Sequence, residues 1–219
     1  MLKHFFENDP DVISDTHFFH DNVFNKFEPV RQTLAKTRVD FDEKMLARLR
    51  PLKHLLHLGD VVIDSRNHKV FLERIQYIGE KLKDVQKILI MGNHDLGGEK
   101  VFEKTGWIVV DCGVDLTGTV PIVFKNAPPF VVVKIDDIRA FLSHEPVAVL
   151  RPASDFDKDV NKKLRKWFEL TNVSINIHGH VHSHSIDHPS FKNVSLEVMD
   201  FRPKKLSEIV KQYSWRRKE

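Results

Sequence analysis

Five short blocks of this chain end in residues that can hold a metal ion. They are Asp15-Thr16-His17, Gly59-Asp60, Gly92-Asn93-His94-Asp95, Ser143-His144 and Gly179-His180-Val181-His182. Carboxylate, amide and imidazole are hard or borderline ligands. As a mixed set they suit manganese, iron, zinc or nickel without choosing among them. Cys112 is the one cysteine, so neither an internal disulfide nor a thiolate cluster competes with this reading. Taken singly, each block has an ordinary explanation. Asp-x-His and Gly-Asp are frequent turns, Gly-Asn-His-Asp is a run of turn formers, and a lone histidine is more often packed than ligating. Gly-His-x-His is rarer. All five in one chain, each at the end of an apolar run, are hard to assign to chance.

Those apolar runs must position the blocks. Residues 11–14 lead into Asp15, 55–58 into Gly59-Asp60, 88–91 into Gly92-Asn93, 138–142 into Ser143-His144, and 173–177 into His178-Gly179-His180. Short apolar runs bounded by glycine and polar residues read as buried strands. In open α/β sheets, ligands bind outside the carboxyl ends of the strands. Strands sharing one sheet direction would therefore bring the blocks to a single cleft. Further strands are expected at 108–110, 121–124, 130–135 and 194–198, with a hairpin turn at Asp136-Asp137. Helical spacing marks 42–50, 68–82, 99–105, 157–170 and 204–213. The β/α alternation gives way to a strand-rich second half, which predicts two packed sheets with helices outside. No repeat or linker divides the chain, so residues 1–219 are expected to form one domain.

The ordered blocks resemble those of the calcineurin-like metallophosphoesterases over residues 11–182. The stretches 14–20, 142–146 and 193–203 are also similar to small stand-alone bacterial and phage members. The resemblance implies a four-layer α/β/β/α sandwich, two mixed sheets flanked by helices, with a dinuclear site. It implies that Asp15, His17 and His182 hold one metal, that Asn93, His144 and His180 hold a second, and that Asp60 bridges both. His94 is then not a ligand but a general acid or electrostatic stabiliser, and a hydroxide shared by the ions is the nucleophile. Two divalent transition-metal ions are expected, manganese first. Among the other polar residues, Asp95 reads as a turn residue, and Asp64 reads equally as a partner of His94 or a loop carboxylate. His20, Arg31 and Arg66 read as surface groups in preference to phosphate contacts. His178 and His184 alternate with His180 and His182, as on one strand-and-turn face, where they could support the ligands.

Composition narrows the function further. Hydrophobic residues at 41% and charged residues at 30% match a globular enzyme and leave no excess charge to explain. No run of about 18 apolar residues appears, so no membrane span is expected. The N-terminus lacks the pattern of a secretory signal, so a cytoplasmic location is the expectation. A net charge of +3 is too slight a footprint for a nucleic-acid binder without catalysis. The basic run Lys162-Lys163-Leu164-Arg165-Lys166 reads as the wet face of a helix, and Arg216-Arg217-Lys218 as a solvated end. A protein serine/threonine phosphatase is disfavoured, because Gly-Asn-His is followed by Asp95 rather than glutamate. The expected substrate is a phosphomonoester or phosphodiester, with a nucleotide or nucleic-acid end among the candidates. The alternative is a non-catalytic scaffold or partner-binding module of the same fold. Its signature would be missing ligands, and none is missing. The sequence leaves the oligomeric state open.

Overall fold

A computed structural model describes residues 1–63, 67–147, 155–184 and 186–216. Its first sheet contains β1 (Asp11–Ile13), β2 (His54–His57), β3 (Gln86–Ile90) and β4 (Trp107–Val110), all mutually parallel. The second contains β5 (Gly113–Asp115), β6 (Ile122–Phe124), β7 (Phe130–Ile135), β8 (Ile138–Ser143), β9 (Ile175–His178) and β10 (Phe191–Asn193), in the order β10-β9-β8-β7-β5-β6. A two-residue β11 (Lys204–Lys205) adds an antiparallel edge beside β1. The helices are α1 (Leu2–Glu7), α2 (Arg38–Leu49), α3 (His68–Lys81), α4 (Glu99–Lys104), α5 (Asp155–Leu170) and α6 (Leu206–Arg216).

The strands read as near-continuous apolar runs because both of their faces are covered. Side chains alternate across a strand, and here they alternate between layers. Leu55 and Leu89 pack with Met45, Phe71 and Ile75 of the helices outside the first sheet. Their neighbours Leu56, Ile88 and Ile90 meet Val131, Val133, Leu142 and Ile177 between the sheets. Phe130, Val132 and Phe141 face the other way, onto Leu164 and Trp167 of α5. The result is the four-layer α/β/β/α sandwich of two mixed sheets.

Several boundaries differ from the sequence expectation for local reasons. α2 begins four residues before the predicted 42, because Thr37 caps it by accepting from the Asp40 N–H. Asn67 caps α3 in the same way, accepting from the N–H groups of Lys69 and Val70. The strand expected at 194–198 is not a strand. The chain pairs at 191–193 instead, then crosses to Ser14, with Ser14 N–H donating to Val194 O and Leu196 N–H to Ser14 O. It turns immediately afterwards. This crossing ties the ends of the two sheets together beside the candidate site.

Candidate metal centre

The five blocks lie at the tips of strands from both sheets, not one. β1, β2 and β3 deliver Asp15 and His17, Asp60, and Asn93 and His94; β8 and β9 of the second sheet deliver His144, and His180 and His182. Each tip leaves its strand abruptly. Asp15, His17, Asp60, His180 and His182 all adopt positive φ, between 46° and 68°. That region is sparsely used by residues other than glycine, Asn, Asp and His being the usual exceptions. Glycines supply the close approach between tips. A Cβ on Gly179 would lie 2.0 Å from Ser14 Oγ and 2.3 Å from Asp15 Oδ2, and one on Gly92 would lie 2.3 Å from Asp60 Oδ1.

The donor atoms gather into two groups, Asp15–His17–His182 and Asp60–His144–His180, each with its ligand atoms within 4.8 Å of one another. In the second group His144 Nδ1–H donates to Leu58 O at 2.8 Å, which turns Nε2 toward the other donors. Around Nε2 stand Asn93 Oδ1 at 3.1 Å, Asp60 Oδ2 at 3.3 Å and His180 Nδ1 at 3.3 Å. Metal bonds of about 2.0–2.2 Å put neighbouring donor atoms roughly 3.0–3.4 Å apart, so these spacings fit a shared cation. In the first group Asp15 Oδ2 is occupied by the His180 N–H and Ser195 Oγ–H, both at 2.9 Å. Its buried Oδ1, and both ring nitrogens of His17, have no hydrogen-bond partner among the described residues. Buried polar atoms are rarely left so, and a cation between Asp15 Oδ1 and His17 Nε2, 3.9 Å apart, would satisfy those two.

Asp60 faces both groups. Its Oδ1 accepts the His94 N–H at 3.0 Å, and its Oδ2 lies 3.5 Å from His17 Nε2 and 3.3 Å from His144 Nε2. The electrostatics report the same demand for positive charge. Burial works against a charged His144, yet the Asp60 carboxylate holds it up at about 10. Burial would raise Asp60, and His144 and His17 instead hold it well below the usual carboxylate range. His17 is pushed well down, by burial first.

Behind the donors stands a ring of residues that the sequence assigned elsewhere. Asp95 is not a plain turn residue. Its buried carboxylate accepts from the backbone N–H of Asp60 (2.7 Å), Gly92 (2.9 Å) and Val61 (3.0 Å), locking two ligand loops together. Burial, followed by the Asp60 charge, pushes it up to about 7. Arg31 is not a surface group, being 1% exposed. It donates to the carbonyls of Asp15 (2.7 Å) and Thr16 (2.8 Å), and its Nε meets Glu197 Oε1 at 2.7 Å. Glu197 Oε1 in turn faces His182 Nδ1 at 3.4 Å. Burial alone would raise Glu197; the Arg31 guanidinium brings it below its ordinary value. The sequence marks the stretch 193–203 but gives Glu197 and Ser195 no role; the crossing at 194–196 brings both to the centre. The buried His57, passed over in the sequence, faces Thr16 Oγ1 at 3.0 Å.

The remaining histidines separate. His94 is half-buried, with its ring 5.4 Å from that of His17. His20 is also half-buried, 5.6 Å from His17. His178 and His184 do not share a strand face with the ligands, because β9 ends at His178. His178 is buried against Phe191 with Nδ1 on Gly179 O, while His184 is exposed with Nδ1 on Val181 O. Asp64, Arg66, Arg217 and Lys218 lie outside the described residues.

A two-sheet α/β sandwich with paired Asp–His groups at its strand tips is a metal-binding fold of the phosphoesterase class. The model of the calcineurin-like phosphoesterases matches residues 11–184, and the chain belongs to that family. Among solved structures, a protein of unknown function from Aquifex aeolicus, AQ665, has a similar fold, with a TM-score of 0.58 and 24% identity over 92% of this chain and 97% of that one. The nuclease MPE of Pseudomonas putida aligns more loosely, with a TM-score of 0.36 and 19% identity over 78% of this chain and 60% of that one. A novel archaeal phosphodiesterase gives 0.35 and 14% over 84% and 81%. No curated protein matches the sequence. No helix among the described residues is long and apolar enough to cross a membrane.

Proposed function

We propose that this chain hydrolyses phosphoester bonds at a dinuclear centre, with Asp15, His17 and His182 holding one divalent ion and Asn93, His144 and His180 the other. The observation that carries the proposal is the placement of one oxygen, Asp60 Oδ2, within 3.5 Å of ring nitrogens from both groups. A carboxylate so placed is positioned to bridge. Two ions bound there would supply a nucleophilic water at neutral pH and positive charge for the phosphoryl oxygens. The chain's own part is to orient and to transfer protons. Leu58 O fixes the His144 tautomer, Glu197 orients His182, and the Asp60 bond to the His94 N–H fixes where the His94 backbone leaves the loop. His94 projects beside His17 and serves as general acid to the leaving oxygen. The imidazole-rich donor set favours a borderline metal, manganese first. A substrate is any accessible phosphomonoester or phosphodiester, nucleotides and nucleic-acid ends included. The intact donor set speaks against a scaffold that has lost catalysis.

The test is a metal-reconstituted screen with a generic monoester, a generic diester, cyclic nucleotides and single-stranded DNA. Chelation should abolish hydrolysis, manganese should restore it better than magnesium, and elemental analysis should find two ions per chain. Full activity without a transition metal would overturn the proposal.

A further inference from the structure

A groove of about 330 Å³ opens directly off the second donor group, and Asn93 and His144 form part of its wall. Its far side comes from the second sheet's outer layer. Ala127-Pro128-Pro129 form one apolar wall and Val160 and Leu164 of α5 another. Leu96 sits at the first-sheet side and is 53% exposed. Two lysines, Lys125 before the prolines and Lys163 on α5, also line it. Glu145 and Asn126 add polar groups.

Resting on the phosphoesterase reading, we infer that this groove takes a nucleoside whose second phosphate meets Lys125 and Lys163, so that the substrate is a phosphodiester within or at the end of a nucleic-acid strand. Three features of the groove argue for that occupant. The volume lies at the lower end of small-ligand sites, about 300–1,000 Å³, which suits one nucleoside and is short for an acyl chain. Proline and leucine surfaces offer a face for a flat base, which a bare sugar phosphate would leave uncovered. The two ammonium groups offer charge to an anion separate from the one held at the donor groups. The phosphate undergoing reaction would sit over Asp60, the nucleoside would lie along the prolines, and the next phosphate would reach the lysines. Lys163 belongs to the basic run of α5, whose sequence alone reads as a solvated face.

Binding, measured without turnover, tests this. The probes are thymidine 3′,5′-bisphosphate, the two thymidine monophosphates and deoxyribose 3,5-bisphosphate, each titrated calorimetrically into manganese-loaded His94→Ala protein, which suppresses turnover of these poor leaving groups. The nucleoside bisphosphate should bind more tightly than either monophosphate by about two- to thirtyfold, the range for two exposed ion pairs. Lys125→Gln/Lys163→Gln should remove that advantage, and raised salt should shrink it. The abasic bisphosphate should bind more weakly than the nucleoside bisphosphate. Equal binding of mono- and bisphosphate, an advantage retained in the double variant, or equal binding of the abasic compound would each overturn the inference. Failure of the wild-type protein to hydrolyse both 4-nitrophenyl phosphate and bis(4-nitrophenyl) phosphate with manganese would count against the proposed function instead. The two failures are therefore separable.

Discussion

Replacing Glu197 perturbs the centre from behind. Arg31 and Glu197 form an ion pair whose side chains are 2% and 1% exposed. Glu197→Ala strands the guanidinium in the interior, and removing one partner of a buried pair costs about 3–5 kcal/mol. Arg31 keeps its bonds to the carbonyls of Asp15 and Thr16, so the lower end, about 3 kcal/mol, is expected. A domain with roughly 5–15 kcal/mol of stability survives that loss. The second effect falls on His182, whose Nδ1 loses its acceptor. Partners behind ligating histidines are typically worth about 10–100-fold in metal affinity. The ion held by Asp15, His17 and His182 should therefore bind about 10–100-fold more weakly, while the other ion is little changed. Glu197→Gln keeps the volume and one acceptor oxygen, and should fall between wild type and Glu197→Ala on both measures. Urea unfolding of the metal-free proteins gives the first measure and competition against a chelating dye the second. A wild-type unfolding midpoint for Glu197→Ala, or equal weakening of both ions, would refute the reasoning.

Three further outcomes follow from the same geometry. Asp60→Asn removes the charge that faces both groups and should abolish paired metal binding and nearly all turnover; two ions retained per chain by elemental analysis would deny the bridge. His94→Ala should keep both metals and lower turnover by about 10²–10⁴ on esters with poor leaving groups. The loss should be smaller on nitrophenyl esters, and a rate loss independent of leaving-group pKa would exclude proton donation. His57 makes a prediction about pH. Thr16 Oγ1–H is spent on Val61 O, so His57 Nε2–H donates to Thr16, and Nδ1 of the neutral ring makes no hydrogen bond among the described residues. Burial lowers His57 from 6.5 to about 4. Stability held by the neutral ring is full above pH 6.5 and falls as pH drops toward 4, by at most about 3 kcal/mol. His57→Gln should flatten the wild-type loss of stability between pH 6.5 and 4.5, and parallel curves would refute the assignment.

The gathering of the candidate ligands was legible because their types are restricted and each follows a short apolar run bounded by glycine or polar residues. The residues behind them were not, for reasons of distance and chemistry. Arg31 and Glu197 are 166 positions apart and are ordinary surface types. Only the crossing from β10 to Ser14 brings them together, and the sequence hid that crossing by placing a strand at 194–198. The alternation of Val194, Leu196 and Val198 resembles a strand, but Val194 and Leu196 are fully buried where the sheets meet, while Val198 is 40% exposed beyond the turn. Asp95 was within reach. A carboxylate three residues after a buried glycine, in a turn rich in N–H groups, has acceptors to offer that an exposed turn does not need. α1 and β5 were missed because six and three residues carry too little periodicity to register.

The loops at the centre are strained, and what holds them says how metal would bind. Five donor residues adopt left-handed backbone, a conformation that costs of order 1–3 kcal/mol at a non-glycine position unless its surroundings impose it. Here they do. Asp15 N–H donates to Gly59 O, His17 N–H to Asp60 O, and Gly179 N–H to His144 O, so each loop is bonded to its neighbour's backbone. Asp95 and Arg31 then clamp the donors and acceptors that remain, three N–H groups and two carbonyls. None of these bonds uses an atom proposed to ligate. The bonds that shape the loops are therefore separate from those proposed to hold ions. The same logic locates the fragile points. Gly59, Gly92 and Gly179 touch other loops where a Cβ would collide, and Asp95 and Arg31 are buried behind the donors. Substitutions at either set should therefore disturb metal affinity before they disturb the chemistry of His94.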